Sequence, residues 1–256
     1  MGPSIFSARC AIAVMAKAPA PGRAKTRLMP AVSAEAAAAL GAAFLRDVTD
    51  NLALAARSVP IDAYAAYAPA GQEALFDGHL APGTRLLLAD GAIAAPQGVD
   101  GFGRALLHAT QALFAAGYGA VALLNADSPT LPTAWLIAAA RHLLDPCGPD
   151  AVLGPAEDGG YYLLGLRAPH AAPFRAIAWS SASVAAETRA RLTEASLRWH
   201  ELPPWYDVDE PPMLERLRRA LAAPDIPDAY PAPVSARALA ALSMPCRPLQ
   251  LASATP

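Results

Sequence analysis

The stretch AVLGPAEDGGYYLLGL, Ala151–Leu166, sets the character of the sheet. Ala151–Leu153 and Tyr161–Leu166 are short apolar runs of the kind that form buried strands. Between them Asp158-Gly159-Gly160 is a turn, and Asp-Gly is a strong short hairpin signal. A parallel crossover takes a dozen or more residues, so these two strands are expected to be antiparallel. Outward from this hairpin the pattern changes. Cys10–Ala16, Ile61–Tyr67, Arg85–Ala89, Ala120–Leu124 and Leu197–Leu202 read as further strands. Helical stretches lie between them: Ser33 to about Ala56, from the loop at Gly98–Gly103 to about Ala116, Pro132 to about Leu144, Ser181 to about Thr193, and Pro211 to about Ala222. Strands alternating with helices predict an α/β fold with a mostly parallel sheet, helices on both faces and at least one antiparallel pair.

Residues 1–223 carry this pattern as one domain, and residues 224–256 read as a Pro/Ala-rich tail with one short helix near 235–242, outside the catalytic core. The hydrophobic fraction of 54% overstates the core, because 64 of 256 residues are Ala. A net charge of −2 argues against a nucleic-acid binder that relies on general basicity. No run approaches the roughly 18 apolar residues of a membrane span. Cys10–Ala16 stops at Lys17 and suits a strand better than a signal peptide. Cys10, Cys147 and Cys246 are odd in number and far apart, with neither a disulfide framework nor a zinc spacing. A cytoplasmic location is the expectation.

In open α/β sheets ligands bind beyond the carboxyl ends of the strands. The loop after the first strand, Met15–Leu28, reads MAKAPAPGRAKTRL and carries Lys17, Arg23, Lys25 and Arg27 around Gly22. These two lysines are the only ones among 20 basic residues. Four cations on a stiff loop with one glycine suit a phosphate. A P-loop does not fit, since its first glycine is missing and Ala24 precedes Lys25-Thr26. The plainer reading is a solvated basic loop.

The acids supply the second candidate. Asp127 follows the apolar strand Ala120–Leu124, and Asp207-Val208-Asp209 precedes the helix at Pro211. Mg²⁺ takes one or two carboxylates together with substrate phosphates, and aspartates from two strand ends could supply them. Against this stand an Asx turn or helix cap for Asp127, and N-capping for Asp207 and Asp209. Asp158 is explained by its turn, while Glu157 beside it could orient an acceptor or take a proton. The loop Gly98-Val99-Asp100-Gly101-Phe102-Gly103 lacks the Gly-x-Gly-x-x-Gly order; Gly98 and Asp100 are its candidate donor-binding residues. No histidine has metal spacing and no Gly-x-Ser-x-Gly elbow is present.

Four strings in order, Met15–Leu28, ADSPTL at Ala126–Leu131, GPAEDGGYYLLGL at Gly154–Leu166 and PPWYDVDEPPML at Pro203–Leu214, resemble the bacterial DUF2064 family, also called radical-SAM/selenodomain-associated transferase 1. The resemblance covers roughly residues 10–222 and implies the GT-A, or nucleotide-diphospho-sugar transferase, fold: an α/β/α sandwich with a mixed sheet. It further implies a transferase using an activated nucleotide donor. That donor is a nucleotide-sugar for glycosyl transfer, or an NTP for nucleotidyl transfer with release of pyrophosphate, and a small molecule is the acceptor. A protein that binds nucleotides without turnover is the reading of another class. By the resemblance Lys17, Arg23, Lys25 and Arg27 surround donor phosphates, Asp127 and Asp209 hold Mg²⁺ or Mn²⁺, and Glu157 and Asp158 face the acceptor. The catalytic set so implied is Lys25, Asp127, Glu157 and Asp158. The chain departs from the family pattern at Glu210–Met213, where an acidic helix start is lost, and at Arg104, one place early.

Overall fold

The computed structural model describes residues 7–223 and 228–242. Seven strands form one sheet: β1 (Cys10–Ala16), β2 (Ile61–Tyr67), β3 (Arg85–Leu88), β4 (Ala120–Asn125), β5 (Ala151–Pro155), β6 (Tyr161–Leu166) and β7 (Trp199–Glu201). Their order across the sheet is β3-β2-β1-β4-β6-β5-β7. The pairs β1–β2, β1–β4, β2–β3 and β5–β7 are parallel, whereas β6 runs antiparallel to both β4 and β5. The hairpin expected at Asp158 is therefore the β5–β6 connection, and it inserts the one reversed strand. With helices on both faces this is a mixed α/β sandwich, with the mostly parallel sheet expected from the sequence.

Among the described residues six α-helices cover the sheet: α1 (Ala34–Ala55), α2 (Phe102–Ala115), α3 (Thr133–Leu144), α4 (Val184–Glu194), α5 (Pro211–Ala222) and α6 (Pro233–Leu242). The period of two in the strands sorts the layers. On β1, Cys10, Ile12 and Val14 join a core with Phe44 and Leu52 of α1, Leu136 of α3, Leu214 of α5 and Leu239 of α6. Ala11 and Ala13 point the other way, into a second core with Leu106 and Leu113 of α2 and Leu192 of α4. α1 starts where Ser33 Oγ accepts from Ala36 N at 3.2 Å. α4 begins at Val184, three residues after the expected Ser181, because Ser181 Oγ donates to Ala178 O in a local turn. Gly159 holds the hairpin turn at φ +92°, and a Cβ there would lie 2.0 Å from Ala182 O.

The short helix expected near 235–242 is α6, and it does not trail free but packs into the hydrophobic core through Leu239. Asp47, fully buried on α1, accepts from Val234 N at 3.1 Å and Ser235 N at 2.6 Å, which caps α6. Tyr230 N also donates to Thr130 O in the loop after β4. Residues 224–227 and 243–256 of the expected tail, with Cys246, lie outside the described residues. Among the described residues no helix is long and apolar enough to cross a membrane.

Candidate functional site

The sheet's carboxyl edge receives the chain from β1, β4 and β5 on one side of the molecule. There the loop after β4 is joined to the segment Trp205–Asp209. Val208 N donates to Asp127 O at 2.8 Å, Ser128 Oγ to Tyr206 O at 3.1 Å, and Thr130 Oγ1 to the Tyr206 hydroxyl at 2.8 Å. Ala156 bridges to Trp205, and Glu157 N donates to Trp205 O at 2.9 Å. On α1, Asn51 Nδ2 donates to Leu131 O at 2.7 Å and fixes the far end of the same loop. Backbone hydrogen bonds thus bring together acids that are some eighty residues apart in sequence.

Lys25 joins them from the basic loop. Its backbone is left-handed (φ 51°, ψ 39°), just before a 3-10 turn at Thr26–Leu28. For a non-glycine residue that conformation costs about 1–2 kcal/mol. The side chain runs inward past the Phe44 ring, with Nζ 5.3 Å from its centroid. Nζ lies 2.6 Å from Asp127 Oδ1 and 2.8 Å from Asp209 Oδ1, and donates to Val208 O at 2.8 Å. An ammonium has three donors, so three acceptors satisfy it. The Lys25 side chain is 7% exposed, but those of Asp127 and Asp209 keep 31% and 36% of their surface. The lysine is the buried floor of the site and the carboxylates are its rim.

Burial opposes charge on each of these groups. For Lys25 the two carboxylates outweigh burial and hold the ammonium above its ordinary pKa. Asp127 is pushed up, by burial first and by Asp209, against the pull of Lys25. For Asp209 burial again works upward, but Lys25 outweighs it and the carboxyl lies below its ordinary value. Asp207 is pushed up to about 7, chiefly by burial and then by Asp158, Asp209 and Asp127. Three aspartates, Asp127, Asp207 and Asp209, thus act on one another electrostatically around the buried Lys25.

The remaining candidates fall into two groups. Lys17, Arg23 and Arg27 are exposed on the loop after β1, and among the described residues none of their side chains makes a hydrogen bond or ion pair, although Arg23 N donates to Ala20 O at 3.0 Å. Gly22, between them in the sequence, has φ +72°. Gly98 (φ +85°) accepts from Ala176 N at 2.7 Å and packs against the Arg175 side chain, while Asp100 is exposed just before α2. Glu157 is engaged by a two-pronged ion pair with Arg216 of α5, whose guanidinium also covers the Tyr206 ring at 4.1 Å. Asp158 Oδ1 accepts from Gly160 N at 2.8 Å, the local turn bond that Asp-Gly predicts. N-capping does not explain Asp207 or Asp209: the residue before α5 is Glu210, and its side chain makes no cap hydrogen bond. Arg104 donates to Gly91 O and Ile93 O, so it pins the loop after β3.

Sequence reasoning missed Arg216, an ordinary surface arginine on a helix, and the carbonyl of Val208. It weighed Asp207 with Asp209 in Asp-Val-Asp and kept only Asp209 in the metal set. Asn125 Oδ1, two residues before Asp127, is buried without a hydrogen-bond partner among the described residues. Also among these, no three His, Cys, Asp or Glu side chains form a closed metal cage. The partly exposed carboxylates of Asp127 and Asp209 still suit a hard divalent cation, which takes one or two carboxylates and completes its shell with phosphate and water.

The family model described as an uncharacterized protein conserved in bacteria (DUF2064) matches residues 51–181. Among solved structures, a protein from Desulfovibrio desulfuricans G20 assigned as a nucleotide-diphospho-sugar transferase is 30% identical. The match covers 92% of this chain and 96% of that one, with a TM-score of 0.74. CMP:2-keto-3-deoxy-manno-octonic acid synthetase in complex with CTP is 13% identical, over 85% of this chain and 100% of that one, at a TM-score of 0.52; the likeness is one of fold. A search of curated proteins finds no match.

Proposed function

The chain belongs to the DUF2064 family of bacterial proteins, and on that premise we propose that it is a divalent-cation-dependent transferase using an activated nucleotide donor. The donor we favour is a nucleotide-sugar, with glycosyl transfer to a small-molecule acceptor. One observation carries the reading: Asp127 and Asp209, from two separate chain segments, present partly exposed carboxylates side by side at the carboxyl edge of the sheet. The similar Desulfovibrio protein, assigned to nucleotide-diphospho-sugar transfer, supports the choice of donor.

In this reading Asp127 and Asp209 hold Mg²⁺ or Mn²⁺ together with the donor phosphates. When bound, the ion supplies Lewis-acid neutralisation of the departing diphosphate. Lys17, Arg23 and Arg27 stand exposed on the loop beside it and can meet the outer phosphate oxygens. Arg27 already lowers the carboxyl pKa of Asp209 through its charge, so it lies in electrostatic reach of the pair. Gly98 and Asp100, on the loop before α2, are the remaining donor contacts of the proposal. Glu157 and Asp158 face the acceptor side, with Arg216 fixing the Glu157 carboxylate. Catalysis would then be positional and electrostatic.

The same arrangement serves nucleotidyl transfer, in which the leaving group is pyrophosphate. Thermal denaturation with a panel of nucleotide-sugars and NTPs, with and without Mn²⁺, separates the cases. A ligand at 100 times its dissociation constant stabilises by about 2.7 kcal/mol. Mn²⁺-dependent stabilisation by nucleotide-sugars but not NTPs supports glycosyl transfer, and the reverse supports nucleotidyl transfer. Binding without turnover of any donor supports a nucleotide-binding protein instead. Stabilisation by neither class overturns the proposal.

A further inference from the structure

The basic loop offers three exposed cations to a phosphate and buries the fourth. We infer that Lys25 is the resident counter-ion of the Asp127–Asp209 pair: it joins the two carboxylates from beneath, so that the free protein neither needs nor retains a divalent cation, which enters only with the donor phosphates. This rests on the transferase reading of the same site and assigns Lys25 a positioning role within it.

The contacts of Lys25 argue against the simpler role of a phosphate hand. The ammonium donates to Asp209 Oδ1 and Val208 O and lies 2.6 Å from Asp127 Oδ1 in an ion pair. A phosphate contact would require one of these contacts to be given up. With 7% exposure against 31% and 36% for the carboxylates, the lysine lies behind them from the solvent side. A phosphate arriving there meets the acids first, and like charges repel unless a cation lies between. The lysine contacts Oδ1 of each aspartate, so it braces the pair from one side.

The backbone supports the same assignment. A left-handed residue at Lys25, where glycine would be the easy choice, turns the side chain inward while its neighbours Arg23 and Arg27 remain outside. Without the ammonium, two carboxylates from separate segments would stand side by side with no cation in contact with both. With it, a free divalent ion meets a fixed positive charge a few ångströms away. Phosphates supply the additional negative charge that makes the cation site favourable. The order is therefore donor and cation together, not cation first.

The test is Mn²⁺ titration of the whole protein by electron paramagnetic resonance, without nucleotide, in wild type, Lys25→Met and Lys25→Arg. Methionine keeps an unbranched chain and removes the charge. Free Mn²⁺ should bind Lys25→Met at least about tenfold more tightly than wild type, since a unit charge near a divalent ion exerts that much even at the dielectric constant of water. Mn²⁺ alone should also raise the melting temperature of Lys25→Met and leave that of wild type unchanged. Lys25→Arg should behave as wild type. A lysine that only filled space would yield no gain in cation affinity on removal. Equal or weaker Mn²⁺ binding by Lys25→Met overturns the inference. If that variant does not fold, wild type alone decides: tight binding of free Mn²⁺, unchanged on adding a nucleoside diphosphate, overturns it, and Mn²⁺ binding that appears only with the diphosphate upholds it. Failure of every nucleotide and nucleotide-sugar to bind overturns the transferase reading, and leaves the Lys25→Met comparison standing on its own result.

Discussion

At the amino end of the sheet one acid faces several partners. Asp62 accepts from Arg9 Nε at 2.8 Å, from Arg9 Nη2 at 2.7 Å and from the Tyr118 hydroxyl at 2.8 Å, and Arg85 stands 3.4 Å away. Arg85 also donates to the Tyr118 hydroxyl and covers the Tyr64 ring, which closes the network. At the carboxyl end the ratio reverses, and Asp127 and Asp209 share a single ammonium with Asp207 close by. The hydrogen-bonded Asp62 carboxyl lies below its ordinary pKa, chiefly through Arg9, whereas Asp207 is driven up to about 7. An acid saturated by donors has finished its chemistry and serves the fold. Acids that share one ammonium at the edge where loops converge are, under the proposed function, an open coordination shell. On that proposal the difference separates structural from functional carboxylates.

The largest effect should come from the unfinished end. Asp127→Asn keeps the shape and one acceptor but removes a charge. Calorimetry with Mn²⁺ and the donor identified by the thermal panel should show affinity falling on the order of 10²-fold, the upper range for losing even an outer partner of a metal site. Wild-type affinity in this variant would break the comparison, because Asp127 would then be as structural as Asp62.

At the closed end the effect should be on stability alone. Asp62→Ala leaves Arg9 and Tyr118 without their acceptor. Urea denaturation should show a loss of about 1–3 kcal/mol, toward the low end because the Arg9 side chain is 36% exposed and solvent screens it. Donor affinity should stay at the wild-type value. A loss of donor affinity comparable to that of Asp127→Asn would mean that the two ends are coupled.

The pH dependence sharpens the same contrast. The folded pKa of Asp62 is depressed, so its contribution is present above the unfolded value near 4 and disappears as pH falls through the folded value. Wild type should therefore lose stability below about pH 4 more steeply than Asp62→Asn. Parallel curves for the two proteins would show that Asp62 contributes no net charge interaction.

Much of this layout was legible in the sequence, and the rest was hidden for definite reasons. The apolar runs, the helix cap at Ser33, the turn at Asp158-Gly159-Gly160 and the proline at Pro211 are local signals, and they correspond to β1–β6, α1, the β5–β6 hairpin and α5. The insertion of β6 between β4 and β5 depends on long-range pairing that no local pattern encodes. The acids of the site were visible one at a time. Their convergence was not, because it depends on backbone bonds such as Val208 N to Asp127 O. The inward turn of Lys25 was also invisible, since left-handed backbone is announced by glycine or asparagine and not by lysine. The docking of α6 was missed because alanine and proline score alike in a linker and in a helix packed closely on its neighbour.

That docking provides the smallest and most discriminating test. Asp47 is fully buried, yet among the described residues it meets no side-chain cation that would hold its charge; it accepts from the backbone N–H groups of Val234 and Ser235. Burial is the largest influence on its carboxyl and raises the pKa despite those bonds. Its role is therefore that of an acceptor, and its charge is a cost. Asp47→Ala removes the acceptor and should lower stability by about 1 kcal/mol, the usual value of a helix cap. Asp47→Asn retains an oxygen for one N–H and removes the buried charge, so it should be close to neutral. The same change, aspartate to asparagine, is then harmless at Asp47 and disabling at Asp127. Paired denaturation curves for Asp47→Ala and Asp47→Asn check this, and an asparagine variant as unstable as the alanine one would show that the charge itself holds α6 in place.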